Sequence, residues 1–233
     1  MPLKTDHDHR RRGATVVQCT IALLVLLLLG VAGLIAFGGD TRAGRFLGQE
    51  LASFCSGKGK ARAERHYRER LESFGVTPAG ALPEVLVKKR EHLCLLLDRG
   101  RVLATFPIAL GANPVGQKET IDDSRTPEGS YQICYKKENS RYHLFIGLSY
   151  PSPTDAARAF SAGRITASES EAILDAALNH QRPPWNTALG GPFGLHGFGA
   201  GNDWTEGTIA MANGHIEELY WNLPMGTRVT VVP

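Results

Sequence analysis

Two short blocks near the C-terminal end of this 233-residue chain carry side chains able to do chemistry. The first is Gly194-Leu195-His196-Gly197, and the second runs Asp203-Trp204-Thr205-Glu206-Gly207-Thr208-Ile209-Ala210-Met211-Ala212-Asn213. An imidazole can take up a proton near neutral pH, and a hydroxyl that gives up its proton during attack can serve as a nucleophile. A lone histidine is more often a satisfied, partly buried side chain, so His196 gains weight only from Thr208, twelve positions later. The threonine is a demanding choice. A free thiol has a pKa of ~8.5 and is partly ionised near neutrality, whereas an aliphatic hydroxyl is not, and the β-methyl restricts χ1.

Other residue types carry less. Cys19, Cys55, Cys94 and Cys134 have no spacing of a zinc knuckle or redox pair, so no metal or cofactor is implied. Cys94 and Cys134 both lie in strand-like runs, where a disulfide and two buried free thiols are both open readings. Cys134 is set aside as an alternative nucleophile. A net charge of +3, with most of the excess in the first seventy residues, gives no basis for nucleic-acid binding.

The elements that must position His196 and Thr208 read as mostly β. From Glu84 onward short apolar runs alternate with turns: Val85-Leu86-Val87, Leu93 to Leu97, Val102 to Leu110, Tyr131 to Tyr135, Tyr142 to Leu148 and Val229 to Val232. Asp98-Arg99-Gly100-Arg101 predicts a hairpin turn. A helical insertion, at about 152–189, interrupts the pattern. Thr166-Ala167-Ser168-Glu169 fits a capping box opening a helix that runs to about His180, and a shorter helix precedes it from Asp155 to Ala162. A last helix is expected from His215 to Trp221. Arg158, Arg164 and Arg182 on the insertion either meet a substrate carboxylate or stay solvated, and the insertion is a candidate lid.

Before this domain, residues 1–15 form a charged tail, and 16–37 run without a charge from Val16 to Phe37. As a helix, about 22 residues at ~1.5 Å each match the ~30 Å hydrocarbon core. The span reads as an uncleaved anchor, with a cleaved signal peptide ending near Asp40-Thr41-Arg42-Ala43 as the alternative. Lys4, Arg10, Arg11 and Arg12 before it, against Arg42 and Arg45 after it, orient the C-terminal domain outside the cytoplasm. Residues 38–83 read as a helical stalk broken at Gly57-Lys58-Gly59. Its stripe of Phe46, Leu47, Leu51, Phe54, Tyr67, Leu71 and Phe74 packs on the domain, or its Lys58, Lys60, Arg62, Arg65 and Arg68 face a partner or lipid.

Several blocks in order resemble the L,D-transpeptidase catalytic domain of bacterial cell-wall enzymes. They are Leu93 to Gly111, Pro114-Val115-Gly116 with Lys118, Asp123 to Gly129, Ser140 to Pro151, the His196 and Thr208 blocks, and Glu218-Leu219-Tyr220 with Pro224 to Val229. The resemblance covers 84–233 apart from the insertion. It implies a β-sandwich or barrel-like fold and acyl transfer on peptidoglycan stem peptides by a domain tethered to the inner membrane and lying in the periplasm or otherwise outside the cytoplasm. Carried over, His196 is the general base, the Gly197 carbonyl orients it, and the amides around Gly207 and Thr208 hold the oxyanion. Tyr150, Trp204, Asn213 and Glu206 are candidate substrate contacts, although Asn213 equally fixes the turn into the last helix. The family's nucleophile is a cysteine, and this chain has Thr208 there, with Glu206 where many members have histidine. The alternatives are a pseudoenzyme that binds stem peptides and a hydrolase using Thr208.

Overall fold

The computed structural model describes residues 59–233. The tail, the 16–37 span, the first stalk helix, Cys19 and Cys55 lie outside the described residues. Among those described, no helix is long and apolar enough to cross a membrane.

Eight strands close into a barrel in the order β1-β2-β3-β7-β6-β5-β4-β8. They are β1 (Pro83–Lys88), β2 (Leu93–Asp98), β3 (Arg101–Ala109), β4 (Gly129–Ser140), β5 (His143–Leu148), β6 (Gly194–His196), β7 (Ile209–Met211) and β8 (Arg228–Val232). Closure removes the open edges that strands otherwise expose. The β2–β3 hairpin turns at Arg99 and Gly100, both with positive φ, as the sequence predicts. Pairing is antiparallel except for β1 with β8 and β6 with β7. Alternation along β1 and β2 points Val85, Val87, Cys94 and Leu96 inward, where they meet Phe106, Ile133, Ile146, Leu195, Ile209 and Val231. Strand β5 is buried along almost its whole length. Cys94 and Cys134 are both free thiols, so of the two open readings the disulfide is not formed.

Among the described residues, four α-helices surround the barrel. Helix α1 (Gly59–Ser73) lays Ala63, Tyr67 and Leu71 against the domain. Phe74 is an exception: it is 39% exposed beneath the Arg101 guanidinium. Helix α2 (Pro153–Ser161) begins two residues before the sequence expectation, because Ser152 and Asp155 form a capping box with Pro153 at the first helical position. Helix α3 (Ala167–Leu178) has the expected Thr166–Glu169 capping box and stops at Asn179. Helix α4 (Asn213–Asn222) packs on α1 and is tied to it by Arg62–Glu217 at 3.3 Å and Arg70–Glu218 at 2.7 Å. The three insertion arginines are exposed to solvent, the second of their two readings, and make contacts at the surface. Arg158 pairs with Asp155, Arg164 with Glu119, and Arg182 lies over the Trp185 and Tyr135 rings.

Candidate active site

The site begins with a parallel pairing. β6 and β7 align Leu195 with Ile209 and His196 with Ala210, so that Thr208, two residues before Ala210, shares a face with His196 as its diagonal neighbour. That register is why residues twelve apart in sequence meet: His196 Nε2 lies 2.8 Å from Thr208 Oγ1. On its other side His196 Nδ1 lies 2.8 Å from the Gly197 carbonyl oxygen. A carbonyl only accepts, so Nδ1 carries the proton and Nε2 is left bare to accept from the Thr208 hydroxyl.

The ring is almost sealed. His196 is 1% exposed, with Tyr142 stacked on it at 4.8 Å and the edge of Trp204 at 5.5 Å. Burial pushes its pKa down to about 4, only partly opposed by the Gly197 carbonyl. At neutral pH the imidazole is therefore uncharged. It is positioned as a proton acceptor, though a weak one.

The surrounding loops are fastened by side chains. Asn213 Oδ1 accepts from the Phe198 N–H at 2.9 Å, and a Cβ on Gly197 would collide with that same oxygen. Phe198 has φ of 74°, an uncommon value for a bulky residue, and the Asn213 bond helps hold it there. Thr205, 4% exposed, donates from Oγ1 to the Thr208 carbonyl at 2.6 Å and accepts the Gly207 N–H at 3.1 Å. Asp203 accepts the Leu110 N–H at 2.7 Å and binds His92 at 2.9 Å.

Most of the residues singled out in sequence meet here, with corrections. His196, Gly197, Thr208 and Trp204 converge. Gly207 is adjacent, but its amide is occupied by Thr205 and is not a free oxyanion donor. Its missing side chain makes room for the Arg125 carbonyl, 2.6 Å from where a Cβ would lie, and not for a substrate backbone. Tyr150 is not a substrate contact: it is fully buried, with its hydroxyl donating to the Leu189 carbonyl. Asn213 clamps the loop after β6 through the Phe198 N–H, and no side-chain cap bond is formed at the turn into helix α4. Glu206 is exposed and forms no hydrogen bond or ion pair among the described residues. Tyr142, Asp203 and Thr205 were not assigned roles from sequence, because each acts through a partner brought near by loop geometry. Among the described residues, no group of three or more His, Cys, Asp or Glu could hold a metal ion.

The model of the L,D-transpeptidase catalytic domain (YkuD) matches residues 83–231. The chain belongs to the L,D-transpeptidase catalytic-domain family. Solved structures similar to it include three that span different organisms. The L,D-transpeptidase from Xylanimonas cellulosilytica is 14% identical over 65% of this chain and 61% of that one, with a TM-score of 0.39. Mycobacterium tuberculosis L,D-transpeptidase 1 is 15% identical over 66% and 63%, at 0.38. The helical cell shape determining protein Pgp2 from Campylobacter jejuni is 19% identical over 64% and 47%, at 0.45. This chain thus spans about half to two thirds of the length of these structures. No curated protein matches.

Proposed function

We propose that this L,D-transpeptidase-family domain binds peptidoglycan stem peptides and transfers their acyl group through Thr208. The observation that carries the reading is the 2.8 Å contact between a bare His196 Nε2 and Thr208 Oγ1, with Nδ1 held by the Gly197 carbonyl. Oγ1 attacks the carbonyl before the terminal residue while its proton passes to Nε2. Collapse breaks the C–N bond, Nε2 returns the proton to the leaving amine, and an ester remains on Thr208. An amine of a second stem, or water, then takes the acyl group. The aromatic cage of Tyr142 and Trp204 borders the reacting atoms.

The same geometry makes turnover slow. A base of pKa about 4 has little drive to take an alcohol proton, and a site shaped for a longer C–S bond leaves Oγ short of the acyl carbon. That observation favours a second reading, a binding module without turnover. The N-terminal organisation proposed with either reading is a tail at 1–15, an anchor at 16–37 and a stalk at 38–83, tethering the domain outside the cytoplasm.

The test is intact-mass analysis of the purified full chain after incubation with a stem tetrapeptide. The first reading expects an adduct equal to the peptide less its terminal residue, absent in Thr208→Val. An adduct only in Thr208→Cys supports the binding module. No adduct in either form removes the acyl-transfer reading.

A further inference from the structure

Two lysines of the site-flanking loops are buried, and they are built differently. Lys89, 3% exposed, places all three ammonium donors: on the Gly116 carbonyl at 2.7 Å, the Thr126 carbonyl at 2.9 Å and Glu128 at 2.8 Å. It is a finished strut. Lys118, 6% exposed, has one ammonium hydrogen bond, to Asp123 Oδ1 at 2.8 Å, and two ammonium donors with no acceptor among the described residues. The second cation of the loop is Arg125. Among the described residues its Nε is buried without a partner, and Nη1 makes only a 3.4 Å contact to the Gln117 carbonyl.

Asp123 cannot serve both cations. Burial alone would raise its carboxyl, but the Glu119 N–H, the Lys118 ammonium, the Arg125 N–H and the Thr120 N–H together hold it below the usual range. It is ionised and already saturated by those four donors. The three side chains therefore carry one uncompensated positive charge and several unused donors, with Lys118 buried and Arg125 and Asp123 partly buried. Leaving such donors unmet is costly, and an anion would complete them. The cluster also lies against the nucleophile loop. A Cβ on Gly207, the residue before Thr208, would be 3.5 Å from Lys118 Nζ and 2.6 Å from the Arg125 carbonyl.

We propose that Lys118 and Arg125 form an anion site for the free terminal carboxylate of a peptide acyl donor, seated when the adjoining carbonyl faces Thr208. One surplus charge suits a monoanion, and charge-assisted bonds from an ammonium and a guanidinium suit a carboxylate. The site makes the domain selective for peptides ending in a free carboxylate, and it rests on the reading of Thr208 and His196 as a stem-peptide site.

The test is calorimetry of the purified full chain with three peptides: a stem tetrapeptide, its C-terminal carboxamide, and the tetrapeptide amidated only at an internal side-chain carboxylate. Terminal amidation should weaken binding at least about tenfold, and internal amidation less than about threefold. In Lys118→Met the carboxylate preference should shrink to within about threefold while the carboxamide binds as in the wild-type chain. If that variant does not fold, Arg125→Gln, which leaves the Lys118–Asp123 pair in place, should show the same loss. Equal binding of tetrapeptide and terminal carboxamide by the wild-type chain overturns the anion site and leaves the stem-peptide reading standing. A penalty from internal amidation alone overturns the terminal assignment. No binding of any of the three removes the stem-peptide reading and the anion site with it.

Discussion

His196 and His143 sit close together on neighbouring strands, yet they are wired in opposite senses. Nε2 of His143 lies 3.0 Å from Glu217 Oε1, and a carboxylate only accepts, so that nitrogen carries a proton. Glu217 is in turn 3.3 Å from Arg62 of helix α1, and although burial would raise its carboxyl, His143 and Arg62 hold it below the usual range. His196 has no carboxylate. Its partners are a backbone carbonyl and a hydroxyl, inside an aromatic cage that disfavours charge. The difference teaches that the nature of the partner decides what each imidazole can do: His143 is a tie between barrel and helix, and His196 is a site for a passing proton.

Breaking the proton site should have the largest effect. In a Thr208→Cys background, which restores a more acidic nucleophile, His196→Gln should cut the acylation rate by on the order of 10² to 10⁴, read by adduct formation over time. Glu217→Gln in the same background should leave that rate within about threefold; an equal loss would mean that the two histidines are not separate in function.

Acid should expose the cage next. The folded pKa of His196, about 4, lies below the ordinary 6.5, so between those values the unfolded chain binds a proton that the folded chain refuses. Stability from this group is thus intact above pH 6.5 and falls as pH drops towards 4, by roughly 3 kcal/mol in all. Denaturant unfolding across that window should show the slope, and His196→Gln should flatten it.

Smaller effects separate tie from clamp. Glu217→Gln should destabilise the fold by about 1–2 kcal/mol, since Arg62 is partly exposed and its share is screened by solvent. Thr205→Val should destabilise by about 1 kcal/mol by freeing the Gly207 amide and the Thr208 carbonyl, and also slow acylation in the Thr208→Cys background, with Thr205→Ser recovering both. Recovery of stability without recovery of rate would argue against the clamp.

Sequence made the tie and the proton site unequally legible. The barrel strands, the Thr166 capping box and the His196–Thr208 pairing follow from local pattern and ordered motifs. The role of Glu217 could not be read, because it depends on Arg62 and His143, 155 and 74 residues away. Tyr150 misled for a related reason. It follows a strand-like run and carries a polar tip, and only its burial and its hydrogen bond to the Leu189 carbonyl reveal a core residue. Gly207 was located correctly but misread, since its free space is filled by Arg125 from a distant loop.

His196 is read as a neutral base with its bare Nε2 towards Thr208, and nitrogen NMR of the histidine side chains probes that state at the atoms concerned. An Nδ1-protonated His196 at neutral pH that titrates near 4 is the expected result. An Nε2-protonated ring, or a midpoint near the ordinary 6.5, would contradict it.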